Sequence, residues 1–597
     1  MRLRSNRPIN LMQHRTRAIW ILVLLACGFT AISFNLIQIQ LVQHEKFLRM
    51  AIENHTHSEP IAAKRGALYD CDGNILAQTR RVYDIYLDGQ LMNADRPGLN
   101  LPKIAQVLQM PEQSFVNVFN PRNRDQLIAQ NLDEGAAAKL SGLKLNSVIV
   151  RSRDRRVYPN NELAAHILGF VDDTGHGLAG MEKEMDKQLC GAPGERRVER
   201  DAKKHEIAAY QIHETPPVDG NSVTLTIKNA IQQVVEDQLG QIVQTYQPNA
   251  AYIIVMDPQT GEILAMGSRP TYDPNDSKTF KPENTKERCI TDVVEPGSIF
   301  KIITLAGALN EHLVDLNTPV FCENGSFYYA GKELRDDEPH GWLPVEEVMA
   351  QSSNIGFAKI ALTYLHEAKL YEYATAFGIG QRTGILSDQG ESPGLFRPVN
   401  KWSGLSITRI PMGQEVAATP MQLVTAMSVI ANGGRLVVPH LARQVTDESG
   451  RIVKVYQPKF VRQVITTDAA RQVAIALHQV TVDGTAKSIH IQDGNGDLSF
   501  CGKTGTAQKF LNGEYSHDHH VASFIGFAPA EDPAFVALVM VDDPKTAPRK
   551  DYGAQVSAPV FAAVAKQVAQ ILNIPADLPA SAPTAPVLTS NSNPAAL

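Results

Sequence analysis

Ala251-Tyr-Ile-Ile-Val-Met-Asp257-Pro-Gln-Thr-Gly261-Glu-Ile-Leu-Ala-Met266 reads as two apolar runs around an Asp-Pro-x-x-Gly turn, the chemistry of a β-hairpin. A second hairpin lies far downstream, where Val521 to Phe527 and Phe535 to Val541 flank Ala528-Pro-Ala-Glu-Asp-Pro533. Between them fall helical patterns at Ile302 to Leu309, Val345 to Met349, Ile355 to Leu365 and Met421 to Ile430. Strands from both ends with helices between predict an α+β fold: one antiparallel sheet that closes late, flanked by helices.

Upstream, a breaker run from Thr215 to Asn221 precedes a strand-like segment, Ser222 to Ile227, and a helical pattern from Ala230 to Tyr246, so a boundary is expected near 220. Residues 43–220 carry short apolar stretches and frequent turn signals, which predicts an elongated mixed α/β pedestal, and 221–573 is the second module. Ala18 to Val42 is uncharged, enough helix to cross a hydrocarbon core about 30 Å thick. Arg2, Arg4, Arg7, Arg15 and Arg17 precede it, so the positive-inside rule makes 1–17 a cytoplasmic tail and places the rest outside. A cleaved signal is the competing reading of Leu24 to Cys27, opposed by the bulk of Leu25 and by the apolar run continuing to Ile37. Prolines in an Ala/Ser/Thr-rich context predict a disordered tail over 574–597.

With 57 Lys and Arg against 63 Asp and Glu, a net charge of −6 supplies no field to hold a phosphate backbone, and nucleic acid is not an expected partner. The six cysteines form no C-x-x-C pair and no zinc-type spacing. If the region beyond the apolar segment is exported, its five cysteines are odd in number, which leaves at least one unpaired or in an intermolecular bond. His517-Asp518-His519-His520 offers ligand atoms, yet adjacent polar residues before a strand read as an exposed loop, and no metal or cofactor is assigned. Cys501 reads as a small buried hydrophobe rather than a reactive thiol.

Three short motifs carry chemistry. In Glu295-Pro-Gly-Ser298-Ile-Phe-Lys301 a Pro-Gly turn delivers a serine to the start of an apolar helix, with a lysine at i+3 on the same face. An amine activates such a hydroxyl if it is held close and kept neutral by burial or a second cation. The plain alternative is a capping serine with a solvated lysine. Ser352-Ser353-Asn354 precedes a helical pattern, and its plain alternative is a turn with a helix N-cap. Gly502-Lys503-Thr504-Gly505-Thr506 is the specific one: a K-T-G-T match arises by chance in under about 1% of chains this size. A phosphate loop fails because Gly496 leaves five residues before Gly502 where four are needed.

In this order S-x-x-K, S-x-N and K-T-G form the active-site set of penicillin-binding proteins and serine β-lactamases. The chain most resembles the class B penicillin-binding proteins, monofunctional D,D-transpeptidases. The resemblance spans nearly all of it, through Arg65-Gly66 with Asp70 and Asp72-Gly73, Tyr158-Pro159, Gly177 to Glu182, Phe377 to Gly380, Thr419 to Gln422 and His520 to Pro529. The phrase around Ser298 is similar to the division-specific FtsI-like branch. The resemblance implies Ser298 as nucleophile and Lys301 as general base. It implies Ser352 as proton relay, Asn354 as holder of Lys301 and substrate, and Lys503 as the second cation. Thr504, Gly505 and Thr506 would bind the substrate carboxylate, and the amides of Ser298 and Thr506 would form the oxyanion hole. Peptidoglycan stem peptides and β-lactam antibiotics are the implied ligands. No glycosyltransferase segment is found between Gln43 and Asn221, so a polytopic FtsW-like polymerase and other divisome proteins are the implied partners. A β-lactam sensor or β-lactamase, an elongation-type transpeptidase and a silent scaffold are the rival readings.

Overall fold

The computed structural model describes residues 11–111, 113, 120–199, 213–387, 390–492, 496–511, 513–546 and 550–579. The chain divides into two compact units, Met1–Ala63 with Ala192–Asp219, and Lys64–Gly191 with Gly220–Leu597.

The first unit opens on the helix Leu11–Ile37, which continues as a π-helical turn, Gln38–Val42. Residues His14–Val42 are long and apolar enough to cross a bilayer, starting one turn before the expected span. The hydroxyls of Thr16 and Thr30 donate to the carbonyls of Met12 (2.6 Å) and Ala26 (2.7 Å), which satisfies them along an apolar helix. The helix His44–His55 follows, and then a three-stranded antiparallel sheet with Gly194–Glu199 between Thr56–Ile61 and His213–Thr215.

The second unit contains the predicted sheet. Its five strands run in the order Ile263–Arg269, Ala250–Met256, Phe535–Asp542, Glu514–Ala528, Cys501–Leu511, every neighbour antiparallel. Both predicted hairpins are present, and Phe535–Asp542 pairs with Ala250–Met256 to close the sheet across nearly 300 residues of sequence. Ala250–Met256 is buried at every position; since alternate side chains point to opposite faces, both faces must be covered. The helices Asn229–Tyr246 and Gly553–Ile571 pack together on the sheet, as do Pro420–Ala431 and Thr467–Val482. The core therefore lies in layers on either side of the five strands.

A seven-stranded sheet forms beside this core. Ser222–Leu225 pairs in parallel with Leu68–Tyr69 and antiparallel with Ala442–Thr446. The breaker at 215–221 does mark a crossing between compact units, but the strand after it joins segments from both sides of residue 220 in one ladder. Ile75–Leu87, Val148–Val157 and Gln126–Leu132 extend the sheet. Buried Glu182 is gripped there by two arginines, Arg65 Nε at 2.7 Å and Arg156 Nε at 2.7 Å.

Two expectations need correction. The tail does not begin at 574: Leu578 exchanges backbone hydrogen bonds with Asp497, and Asp577 accepts from the amide and hydroxyl of Ser499, which fixes the chain to residue 579; residues 580–597 lie outside the described part. Nor is 517–520 simply a loop, since the strand Glu514–Ala528 carries these residues, although of the four only His520 has a cross-strand partner, Gln508, and the register breaks between that pair and Phe510–Tyr515. Residues 516–519 bulge opposite Lys509, and regular pairing resumes at His520. His519 faces Asp543 (2.8 Å), and buried His520 bonds Asp551. All six cysteines are free thiols, and Cys501 is buried with its thiol donating to the Ala474 carbonyl.

Candidate active site

The three motifs meet. Gly297–Phe300 is a 3₁₀ turn that feeds the helix Lys301–Asn310, whose residues Lys301 to Leu309 are all buried. Ser298 sits half-buried at its head, where unpaired helical amides make the potential positive. Gly297 (φ +53°) and Gly413 (φ +81°) adopt left-handed conformations and touch back to back: a Cβ on Gly413 would lie 2.2 Å from the Gly297 carbonyl oxygen. No larger residue permits that approach.

Ser352 and Asn354 are positioned by the short turn between the helices Val345–Ala350 and Asn354–Ile360. The N-cap is Ser353, whose hydroxyl accepts from the Gly356 amide (2.9 Å) and donates to Asp336 Oδ2 (2.5 Å). The plain reading of this motif is thus also right, and because the middle serine does the capping its neighbours are free for other work. Ser352 has φ +56°, a strained conformation for a residue with a Cβ, of the kind that collects at functional sites.

Lys503 comes from the edge strand Cys501–Leu511, paired with Ile525 of the neighbouring strand. Gly505 allows this strand to press on the nucleophile turn, for a Cβ there would meet Ser523 Oγ at 2.3 Å and Ile299 Cγ1 at 3.1 Å. The outer edge of the strand presents backbone groups with which an extended peptide can pair. Thr504 Oγ1 is 2.9 Å from Thr485 Oγ1, and Thr506 Oγ1 accepts from the Gly553 amide (3.1 Å), which keeps the Thr506 hydroxyl hydrogen available to a ligand.

Ser352 Oγ is the hub. It donates to Ser298 Oγ (3.2 Å) and accepts from Lys301 Nζ (3.2 Å) and Lys503 Nζ (2.8 Å). Lys301 also donates to the Ser352 carbonyl (2.6 Å) and Asn354 Oδ1 (2.8 Å), and Lys503 to the Thr504 carbonyl (3.1 Å). Lys301 therefore connects to Ser298 through Ser352 Oγ, and the 3₁₀ turn between them, at three residues per turn, sets the two side chains on one face as expected.

Both amines are fully buried, and burial lowers both pKa values. Lys301 falls to about 8, held from going lower by Asp336 and Asp337. Lys503 is driven well below the ordinary lysine range by burial, then by the charge of Lys301, with Asp337 opposing. The expected repulsion is present, but burial is the larger cause, and repulsion falls on Lys503. Such a pair readily holds one proton rather than two.

Sequence reasoning did not single out Asp336 and Asp337, which lie in an acidic run with no motif around them. Asp336 also accepts from the Ile355 amide (2.9 Å), so it pins the start of the Asn354–Ile360 helix while setting the field at Lys301. The arrangement suits acyl transfer through a serine: a hydroxyl at a helix head, a proton path to a buried amine, and hydroxyl and amide donors along an open strand edge.

Comparison with known proteins agrees. Residues 251–566 match the model of the penicillin binding protein transpeptidase domain, and residues 60–225 that of the penicillin-binding protein dimerisation domain. The chain is 32% identical over 554 residues to stage V sporulation protein D of Bacillus subtilis (strain 168), covering 92% of this chain and 84% of that protein. It is 28% identical over 585 residues to the peptidoglycan D,D-transpeptidase FtsI of Escherichia coli (strain K12), covering 96% and 95%. The crystal structure of penicillin binding protein 3 from Mycobacterium tuberculosis, complexed with aztreonam, superposes with a TM-score of 0.66 at 25% identity, over 88% of this chain and 100% of that chain. The chain belongs to the penicillin-binding protein transpeptidase family.

Proposed function

We propose that this protein is a membrane-anchored D,D-transpeptidase that cross-links peptidoglycan stem peptides through an acyl-enzyme on Ser298, acting in septal wall synthesis. The observation that carries the reading is the convergence of Lys301 and Lys503 on Ser352 Oγ, itself 3.2 Å from Ser298 Oγ.

The stem peptide lies along the outer edge of Cys501–Leu511, its terminal carboxylate received by the hydroxyls of Thr504 and Thr506 beside Gly505 and by the positive charge shared between the lysines. Ser298 attacks the carbonyl between the two terminal D-alanines. Its proton passes to Ser352, which yields one to Lys301 as general base; the same route returns a proton to the departing D-alanine amine. Asn354 holds Lys301 and the peptide, and Lys503 keeps the hub hydroxyl oriented. A Cβ on Gly297 would meet Ala507 Cβ at 3.3 Å and the Thr506 carbonyl oxygen at 3.4 Å, so the nucleophile turn runs beside Thr506, which supports an oxyanion hole from the amides of Ser298 and Thr506, at about 3–4 kcal/mol per donor. An amine of a neighbouring stem peptide then takes the acyl group. β-Lactams acylate Ser298 by the same path.

The helix His14–Val42 is the anchor of a single-pass protein, and the arginines before it favour a cytoplasmic N-terminus with the catalytic residues, 221–573, outside. Residues 43–220 form the membrane-proximal module. An FtsW-like polymerase and other divisome proteins are the partners this anchor suits, and the similarity to FtsI supports the septal assignment. Loss of co-purification with such a polymerase on swapping the anchor supports that pairing; unchanged binding by protein lacking residues 1–50 argues against it.

The test is D-alanine release from pentapeptide-bearing glycan. Wild type releases it and yields cross-linked dimers, and Ser298→Ala does neither. Cross-linked dimers from Ser298→Ala reject the reading, and rapid hydrolysis of a β-lactam adduct replaces it with a lactamase.

A further inference from the structure

Away from this site, within Lys64–Gly191, three ligand-bearing side chains meet on a surface turn. Asp186 starts the one-turn helix Asp186–Leu189 and Cys190 follows four residues later, so both project from one face. His176 reaches them from a tight loop in which Asp172 Oδ1 accepts from the Thr174 amide and hydroxyl and from the His176 amide, closed by a bridge between Val171 and Gly177. The spacing, His-x9-Asp-x3-Cys, is no metal signature, which is why the sequence assigns none.

We propose that His176 Nδ1, Asp186 Oδ2 and Cys190 Sγ bind a zinc ion. Nδ1 lies 3.6 Å from Sγ and 3.6 Å from Oδ2, and Sγ lies 3.2 Å from the other oxygen of Asp186. Tetrahedral zinc with bonds of about 2.3 Å to sulfur and 2.0–2.1 Å to nitrogen and oxygen sets its ligands about 3.3–3.6 Å apart, so the two separations from Nδ1 already match, and all three ligand atoms lie within 4.8 Å of one another. A thiol and an imidazole in one set favour zinc over magnesium or calcium.

The surrounding groups orient the ligands. Asp186 Oδ1 accepts from Arg65 Nη1 (2.7 Å) and the Gly177 amide (2.8 Å), which turns Oδ2 toward His176. Arg65 Nη1 also donates to Cys190 Sγ (2.9 Å) and the Gly175 carbonyl (3.0 Å), while its Nε is fixed on buried Glu182. The guanidinium therefore contacts the ligand sulfur and the non-ligand oxygen of Asp186 from a position locked by an ion pair, as outer-shell donors do in metal sites. Thiolate and carboxylate balance the ion, and Glu182 is shared between Arg65 and Arg156. Binding forms a zinc–sulfur bond and releases the Cys190 thiol proton to water, with no change of oxidation state. His176, its side chain 65% exposed, leaves the fourth position open to water.

The experiment uses the full chain in detergent, stripped with chelator and titrated with zinc or cobalt chloride. One equivalent of zinc per chain, and with cobalt a thiolate-to-metal charge-transfer band, is expected. His176→Gln and Cys190→Ser should each weaken binding at least about tenfold and abolish or shift the band. Cys71→Ser should leave both unchanged. Penicillin labelling of Ser298 in every variant establishes that each is folded. Less than a tenth of an equivalent in wild type, or affinity that either ligand variant leaves unaltered, overturns the proposal.

Discussion

Lys301 and Lys503, from a helix and an edge strand 202 residues apart in sequence, donate to the same oxygen, Ser352 Oγ, at 3.2 and 2.8 Å. Two buried amines on one hydroxyl resist carrying two charges, which leaves a lone pair for a proton near neutral pH. The third bond of that hydroxyl leads to Ser298, so activation of the nucleophile depends on a group that is neither nucleophile nor base.

Removing the hydroxyl of Ser352 should slow acylation of Ser298 by about 10²–10⁴-fold. Ser352→Gly separates chemistry from conformation, because glycine accepts φ +56° without strain. Stopped-flow acylation by a fluorescent β-lactam should show the same loss in Ser352→Gly as in Ser352→Ala. Near-normal rates in the glycine variant place the effect in backbone strain instead.

The acylation rate should rise with pH through about 8 and then level. Lys301 is lowered to about 8 from an ordinary 10.5 and only its neutral form accepts a proton, so activity is lost as pH falls below that point. A rate profile between about pH 6 and 10 checks this. A rising limb near the ordinary lysine value contradicts the account.

Gly413→Ala should impair both fold and site. Its Cβ would be driven into the Gly297 backbone from a left-handed conformation, so a loss of more than about 1 kcal/mol in stability is expected, with Ser298 displaced. Thermal unfolding should shift down and penicillin labelling should slow even well below the transition. Normal labelling in a destabilised protein shows that the close approach serves stability alone.

Glu182→Gln should leave Arg65 and Arg156 buried without their shared counter-ion, at a cost of about 3–5 kcal/mol. Calorimetry should show the loss, while the acylation rate of the surviving folded protein stays near wild type because Glu182 contacts none of the groups at Ser298. A fall in acylation rate at full folding contradicts that separation.

How much of this was legible depended on whether the signal was local. The hairpin at Ala251 to Met266 and the strands at Val521 to Phe527 and Phe535 to Val541 announce themselves through apolar runs and turn chemistry, and they form as read. The catalytic motifs were visible as residue types. Their wiring was not: the left-handed turn at Ser352, the field of Asp336 and Asp337 and the contact of Gly413 with Gly297 arise between segments far apart in the chain. Composition failed in two places for the same reason. Pro575 to Pro579 reads as tail, yet Leu578 and Asp577 find partners at Asp497 and Ser499; His517 to His520 reads as loop, yet it is a bulged stretch of the strand Glu514–Ala528 that rejoins the pairing at His520.

The most direct measurement is peptide mapping of the adduct formed by a labelled penicillin, made in parallel on wild type, Lys301→Met and Ser352→Gly. A single stable adduct on Ser298 in wild type, formed far more slowly in both variants, is the result predicted. An adduct on another residue, or labelling of Ser298 at wild-type rate when either Lys301 or Ser352 is altered, contradicts it.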